Sequence, residues 1–128
     1  MPVVKHNPEQ LYPQFASYSH AVEIAGGSRM LVTSGLVAYQ QDGKTVPDSF
    51  EEQGDLIWQH LGAILESAGM TYRNLISVRV YLASPDYGVA NTLLRKKYLG
   101  DHQVASVAVC AQLLDPRWKL EMETMAVE

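Results

Sequence analysis

The chain is poor in cysteine, in excess positive charge and in long hydrophobic runs, and each shortage excludes a class of protein. The single cysteine, Cys110, excludes an internal disulfide framework. Ten basic against fourteen acidic residues give a formal net charge of −4, which disfavours a nucleic-acid binder. No segment has the length and apolarity of a membrane span, and the first residues lack a signal-peptide pattern. We therefore predict a cytoplasmic protein without nucleic-acid or membrane partners.

Motifs for metals, phosphates and nucleophilic serines are also lacking. The histidines at positions 6, 20, 60 and 102 show no metal-ligand spacing, and no GxSxG, CxxC or Gly-rich phosphate loop occurs. The sequence thus predicts neither a metal nor a cofactor. His60, beside Leu61 on a predicted helix, is expected to face solvent, and His102 is either an acid near the site or an inert loop residue. Cys110 lies in the apolar run 105–111 and is interpreted as a buried structural thiol.

What the chain does have is a regular succession of strand and helix patterns, which predicts a single domain over residues 1–128. Residues 1–16 contain three prolines and predict an extended arm. Alternating residues predict strands near 19–25, 29–39, 75–83, 105–113 and 118–127. One helix begins after Ser49 and stops at Gly69, and a second runs from Pro85 to Gly100. The order ββαβαββ predicts an α+β fold with both helices on one face of the sheet.

The opposite face of this sheet would carry a mixture of polar and apolar side chains. Its expected members are Ser77, Arg79, Tyr81, Ala108, Cys110, Gln112, Glu121, Glu123 and Met125. Such a mixed face is typical of a subunit interface or of a cleft wall. We therefore predict an oligomer whose site forms between subunits.

Two segments carry candidate chemistry. The strand pattern that begins at Arg29 ends in the small step Ser34-Gly35, which exposes a hydroxyl and backbone N–H groups, or else ends a strand that needs little bulk. The pattern over 118–126 carries carboxylates on alternate residues, and Glu121 is the candidate base. The alternative for Glu121 is a solvated carboxylate or a pair with Arg79.

Six segments, in order and with similar spacing from about Tyr18 to Val127, make the chain similar to the Rid family, also called the YjgF or reactive intermediate deaminase family. They are YSHAV (18–22), VTSG (32–35), ESAGM (66–70), LISVRVY (75–81), YGVAN (87–91) and KLEME (119–123). The resemblance implies a chorismate-mutase-like subunit and a homotrimer whose sheets form a central barrel, with clefts between subunits. In the deaminases of the family, those clefts hydrolyse imines and enamines such as 2-aminoacrylate to a keto acid and ammonia, without metal or cofactor.

The resemblance also implies roles for individual residues. Glu121 matches the glutamate that positions the attacking water. Ser34 and Gly35 match the Ser-Gly step of the cleft. Tyr18 matches an aromatic cleft residue, although an ordinary packed tyrosine is the alternative. Asn91 matches an asparagine of the second helix, for which we favour capping or a bond to a neighbouring subunit over ligand binding.

One matched position departs from the family. The active deaminases carry an arginine before a serine, and that arginine pairs with the substrate carboxylate, whereas this chain has Ala105 before Ser106. An anion left unpaired there loses roughly 2–5 kcal/mol of binding. The substrate therefore either lacks a carboxylate or pairs with another cation, for which Arg79, Arg95 and Arg117 are the candidates.

The sequence therefore predicts a Rid-like hydrolase of a small imine or enamine other than 2-aminoacrylate, in which Glu121 assists attack by water. The alternative is a non-catalytic trimer that binds a metabolite or regulates a partner. RNA cleavage, which is attributed to some relatives, is disfavoured by the acidic balance of the chain.

Overall fold

The computed structural model of the chain describes residues 3–14, 19–26 and 28–128. Over these ranges it shows six β-strands and two α-helices, with 3-10 turns at Tyr72–Asn74 and Pro85–Tyr87. The strands are β1 (Val3–His6), β2 (Ala21–Gly26), β3 (Ser28–Thr33), β4 (Leu75–Leu82), β5 (Ala105–Cys110) and β6 (Leu120–Val127). The helices are α1 (Phe50–Ser67) and α2 (Gly88–Leu99).

The strands form one sheet in the order β1-β2-β3-β6-β4-β5. Only the pair β4–β5 is parallel among these described strands, because α2 crosses over between them. The helices touch where a Cβ on Gly54 would lie 2.2 Å from Leu94 Cδ2, so they share one face of the sheet. The predicted α+β class with two helices on one face is confirmed. Strand β1 is an addition to the predicted order, since residues 1–16 were expected to form only an extended arm.

Local signals set the limits of the long helix. The Ser49 hydroxyl accepts the N–H of Glu52 at 3.1 Å, and the Glu52 carboxylate accepts the Ser49 hydroxyl proton at 2.9 Å. These bonds satisfy the start of α1 as the predicted capping pair. The helix ends before Gly69, whose φ of +70° is a left-handed value that favours glycine. Its apolar stripe is buried in the core against the sheet, with Ile57, Leu61 and Ile64 at 0% exposure.

A β-bulge interrupts the pairing of β3 with β6. Val32 pairs with Met125, and the next pair along the strands is Leu36 with Met122. The chain therefore advances four residues on the β3 side of this gap in the pairing and three residues on the β6 side. The predicted strand over 29–39 therefore ends at Thr33 and resumes as a single bridge at Leu36. A bulge bends the strand and opens space beside the sheet. Glu121 lies in β6 next to this gap.

The orientation of β5 differs from the sequence prediction. In a parallel pair, residues in register point to the same face, and Tyr81 on β4 is in register with Val109 on β5. Val109 and Val107 therefore share the outer face, while Ala108 and Cys110 point toward the helices. The expectation that Ala108 and Cys110 lie on the outer face was wrong. Cys110 is also exposed rather than buried, because β5 is the last strand in the sheet.

Candidate functional site

Glu121 lies directly over the backbone of Gly35. A Cβ built on Gly35 would lie 2.0 Å from Glu121 Oε2 and 3.0 Å from its Cδ. The bulge turns position 35 toward β6, and only a residue without a side chain leaves room there for the carboxylate. The structure thus brings together two of the residues that the sequence predicted for the site.

The two glutamates on this face of β6 have different environments. Glu123 accepts a hydrogen bond from the Tyr81 hydroxyl at 2.7 Å. The Glu121 carboxylate has no hydrogen-bond or ion-pair partner in the described part of the chain, and it is partly buried. Burial, and to a lesser extent the nearby charge of Glu123, raises the pKa of Glu121 above its ordinary value of 4.5. A carboxylate in this state can accept a proton from water and release it again.

Glu121 faces a cleft with mostly aromatic and aliphatic walls. The cleft has a volume of about 380 Å³, which is in the range of small-ligand sites. Its described lining residues are Tyr12, Ser34, Gly35, Val37, Tyr39, Leu114, Trp118 and Glu121. The Tyr39 ring meets Trp118 edge-on at 5.7 Å and Tyr12 at 5.6 Å. Leu114 stands 93% exposed at the rim. Apart from Glu121, none of these described lining residues carries a charge.

Two buried histidines support the aromatic wall from behind. His60 Nε2 bonds the carbonyl of Tyr39 at 2.7 Å, and His20 Nε2 bonds the carbonyl of Tyr12 at 2.9 Å. Burial lowers the pKa of both histidines, and for His60 the nearby His20 lowers the pKa further. The expectation that His60 faces solvent was wrong, since it is only 4% exposed. Both imidazoles fix the backbone that carries the tyrosines.

The hydroxyl proton of Ser34 is already used in a hydrogen bond within the chain. Its Oγ donates to the carbonyl of Ser19 at 2.5 Å, and its N–H donates to the carbonyl of His20 at 2.7 Å. The hydroxyl oxygen therefore offers the cleft a lone pair rather than a proton. Ser34 is among the lining residues of the cleft, where its hydroxyl oxygen is free to accept a hydrogen bond while its proton is bound to Ser19.

The remaining predicted site residues are elsewhere or undescribed. Tyr18 lies outside the described residues. Asn91 is buried on α2, on the helix side of the sheet, and does not line the cleft. Ser106 accepts a hydrogen bond from Arg95 at 2.9 Å in a separate groove between α2 and β5. Ala105 on β5 is in register with Ser77 on β4, whereas Glu121 is paired with Tyr81. Ser77 and Tyr81 are four residues apart along β4, so Ala105 lies about 13 Å along the sheet from the level of Glu121.

Of the three cations considered as replacements for the missing arginine, one lies near the cleft. Arg117 stacks over the Tyr39 ring at 5.8 Å, but its guanidinium donates to Asp115 and to the carbonyl of Lys44. Arg79 lies on the outer face of the sheet, and Arg95 is held at Ser106. His102 bonds the carbonyl of Leu75 and lines the separate groove, so it does not meet Glu121 within the chain.

Sequence reasoning missed the residues that form the walls. Tyr12 falls in the segment predicted as an arm. Tyr39 ends one predicted strand and Trp118 begins another, and an aromatic residue is unremarkable in a strand. Leu114 offered the one usable signal, because it precedes Asp115-Pro116 in a turn where a large apolar residue has no core to join.

The described residues contain no group of three histidine, cysteine or acidic side chains placed to hold a metal ion. None of the described helices has both the length and the apolar character needed to cross a bilayer.

Comparison with known proteins decides the family. The model of the family described as Endoribonuclease L-PSP matches residues 9–128. The chain belongs to this family. It is the YjgF or Rid family, so the identification made from the sequence is confirmed.

Several relatives of this L-PSP chain are known. It is 30% identical over 114 residues to the mouse 2-iminobutanoate/2-iminopropanoate deaminase, covering 87% of this chain and 81% of that protein. It is 31% identical over 114 residues to protein mmf2, mitochondrial, of Schizosaccharomyces pombe, covering 87% of each. The crystal structure of yeast Mmf1 superposes with a TM-score of 0.89 at 28% identity, covering 99% of both chains. These similarities place the chain in the family and leave the substrate open.

Proposed function

We propose that the protein hydrolyses a small imine or enamine and that Glu121 orients and deprotonates the attacking water. The observation that carries this proposal is the Glu121 carboxylate itself. It is partly buried, it has no partner among the described residues, and it faces an aromatic cleft over Gly35. The deaminase activity in the name of the mouse relative supports the reaction type.

The chemistry requires one group to act twice. The oxygen of water adds to the carbon of the C=N bond while its proton passes to Glu121. Glu121 returns this proton to the nitrogen, which gives the carbinolamine R₂C(OH)–NH₂. Glu121 then takes the hydroxyl proton and passes it to the nitrogen as the C–N bond breaks, so that C=O forms and ammonia leaves. The balance is R₂C=NH + H₂O → R₂C=O + NH₃. A raised pKa suits this double role, because the carboxylate must hold the proton between the two steps.

We further propose that the protein works as a homotrimer with its clefts between subunits. The resemblance to the family supports this assembly, and the outer face of the sheet carries apolar side chains that a neighbouring subunit would cover. Met30, Val107 and Val109 are 36%, 47% and 46% exposed on that face. Strand β5 is exposed along its whole length at the end of the sheet. The location of the protein in the cytoplasm stays a prediction from the sequence.

The preferred substrate is proposed to differ from 2-aminoacrylate. No lysine or arginine lines the cleft among the residues that the structure describes, and Ala105 stands where the deaminases carry their arginine. The same observation favours a second candidate function, a non-catalytic trimer that binds a metabolite or regulates a partner. Turnover of an imine distinguishes the hydrolase from the non-catalytic trimer.

The test compares two isosteric variants. Glu121→Gln keeps the size of the side chain and removes the base, so turnover of imines generated in situ should fall by about 10²–10⁴-fold. Glu66→Gln makes the same change on the exposed side of α1 and should have no effect. Undiminished turnover in Glu121→Gln would remove Glu121 from the mechanism. If the wild-type protein binds imines and amines without consuming any of them, the binding trimer replaces the hydrolase.

A parallel measurement addresses RNA, because the family description names an endoribonuclease. We expect that RNA incubated with the purified protein stays intact. Cleavage that copurifies with the protein through successive columns would reinstate the nuclease activity.

A further inference from the structure

We infer that the cleft selects a substrate with a cationic nitrogen on an aromatic or bulky apolar body and without a carboxylate. The inference deepens the proposed function, since it names the substrate class of the same site. It stands on the charge, hydrogen-bonding character and walls of the cleft.

The first step is the charge of the cleft. Among the described residues, Glu121 is the one charged side chain that a single subunit contributes to this lining, and no described ion pair within that subunit neutralises the carboxylate. At the position where the deaminases of the family carry their arginine, the chain has the uncharged Ala105. A ligand carboxylate would therefore meet a like charge in a partly desolvated site, which is unfavourable. A protonated imine, which carries its positive charge on the C=N group, would instead pair with Glu121 at the reacting centre.

The second step is the kind of hydrogen bond that the cleft offers. Ser34 donates its only hydroxyl proton to Ser19, so its Oγ can accept from a ligand N–H. The Trp118 indole nitrogen is covered by protein atoms and has no described hydrogen-bond partner, and so it is not offered to an anion in the open cleft. Ser34 and Glu121 thus both present acceptors, which match the donors of an iminium group.

The third step is the walls. Tyr12, Tyr39 and Trp118 place three aromatic rings around the cleft, and Val37 and Leu114 complete an apolar surface. Aromatic faces attract cations within about 6 Å of the ring centre. Tyr39 already does so, since the Arg117 guanidinium lies 5.8 Å from its ring. The walls therefore favour both the apolar body and the positive charge of the substrate.

The nearby guanidinium does not reverse this preference. Arg117 donates two hydrogen bonds from Nε and Nη2 to the carboxylate of Asp115, at 3.2 and 2.9 Å. Its Nη1 donates to the carbonyl of Lys44 at 2.9 Å. Three of its five N–H donors are used within the chain, and its charge is balanced by Asp115.

The reaction then yields an aldehyde or ketone instead of a keto acid. Water adds to the carbon of R–CH=NH₂⁺, the C–N bond breaks, and the balance is R–CH=NH₂⁺ + H₂O → R–CHO + NH₄⁺. The class of reaction that supplies such an iminium is the oxidation of a primary amine, R–CH₂–NH₃⁺ → R–CH=NH₂⁺ + 2H⁺ + 2e⁻, with the electrons passing to the acceptor of the oxidising enzyme.

The test measures binding separately from turnover. Calorimetric titration near pH 7 compares 2-phenylethylamine, a cation at that pH, with 3-phenylpropanoate, an anion of similar length. We expect the cation to bind at least about tenfold more tightly. Glu121→Gln should abolish this preference, and Glu66→Gln should preserve it. Equal or tighter binding of phenylpropanoate, or a cation affinity unchanged in Glu121→Gln, would overturn the inference.

A second pair of variants tests the aromatic wall. Trp118→Leu should weaken binding of the cation by about three- to tenfold, whereas Trp118→Phe, which retains an aromatic face, should lose less. Thermal unfolding of both variants confirms that each is folded. Equal losses in the two folded variants would contradict a role for the aromatic face.

A kinetic comparison separates this inference from the proposed function. The imine derived from 2-phenylethylamine should be hydrolysed faster than the imine derived from phenylalanine, which retains the carboxylate. The reverse order would uphold the hydrolase and overturn the substrate class. Selective binding of the amine without turnover of either imine would uphold the cleft preference and overturn the hydrolase.

Discussion

The Glu121 carboxylate occupies the space that a side chain at position 35 would need, with Oε2 only 2.0 Å from where a Cβ of Gly35 would lie. The contact depends on the bulge between Val32 and Leu36, which brings the backbone at Gly35 against β6. Gly35 has no positive φ, so its lack of a side chain, and not its backbone conformation, is what the site uses.

Gly35→Ala should therefore damage activity more than stability. The added methyl group displaces the carboxylate, and a shift of about 1 Å in a catalytic group can cost on the order of 100-fold in rate. The free energy of unfolding should change by only about 1 kcal/mol, because the flexible end of Glu121 can move away. Steady-state kinetics and denaturant unfolding measure the two effects. Gly88→Ala is the matched control, since a Cβ there meets nothing within 4 Å; equal activity in the two variants would contradict the prediction.

Glu121→Gln should stabilise the folded protein near neutral pH. The raised pKa means that folding favours the protonated carboxyl, so ionisation of Glu121 costs stability as the pH rises through its folded-state pKa. The variant has no charge to bury there. Well below pH 4.5, the ordinary pKa of glutamate, Glu121→Gln and the wild type should have the same melting temperature. As the pH rises, the melting temperature of the variant should become higher than that of the wild type. An advantage that is the same at all pH values would show that charge is not its cause.

His60 should make the protein acid-sensitive. Burial lowers the pKa of His60 below its ordinary value of 6.5, so folding favours the neutral ring. The stability that this ring contributes is present above pH 6.5 and is lost as the pH falls through the folded-state pKa. When melting temperature is plotted against pH, the curves of the wild type and of His60→Gln should converge as the pH is lowered. His20, whose pKa is also lowered, should account for the acid sensitivity that remains in the variant. Parallel curves would show that His60 does not titrate in this way.

The outer face of the sheet should hold the oligomer together. Val109→Glu puts a charge on a side chain that is 46% exposed on that face, and a covered charge without a partner is costly. The variant should elute from a sizing column as a smaller species. Val89→Glu makes the same change on an exposed side chain of α2 and should leave the size unchanged. If both variants retain the wild-type size, this part of the face is not an interface.

Much of the fold followed from local patterns in the sequence. Ser49, Gly69 and Gly100 mark helix limits through capping and left-handed glycine, and these signals depend on neighbours in the chain. Strand β1 could not be predicted in this way. It pairs with β2, and His6 bonds Glu23 at 2.7 Å across 17 residues.

The site was less accessible to sequence reasoning for the same reason. Glu121 and Ser34-Gly35 were predicted from their own segments and from the resemblance. The walls required tertiary structure, because Tyr12 and Tyr39 come from separate loops, and their carbonyl groups are bound by His20 and His60 from other parts of the chain. The orientation of β5 likewise depends on its register with β4, since an alternating apolar run fits either face.

The dependence of kcat/KM on pH for imine hydrolysis tests the central claim most directly. If Glu121 is the base, the rate falls as the pH is lowered through an apparent pKa above the ordinary value of 4.5, because protonation removes the base. In Glu121→Gln we predict that this inflection disappears together with most of the rate. The same inflection at an undiminished rate in the variant would contradict the account.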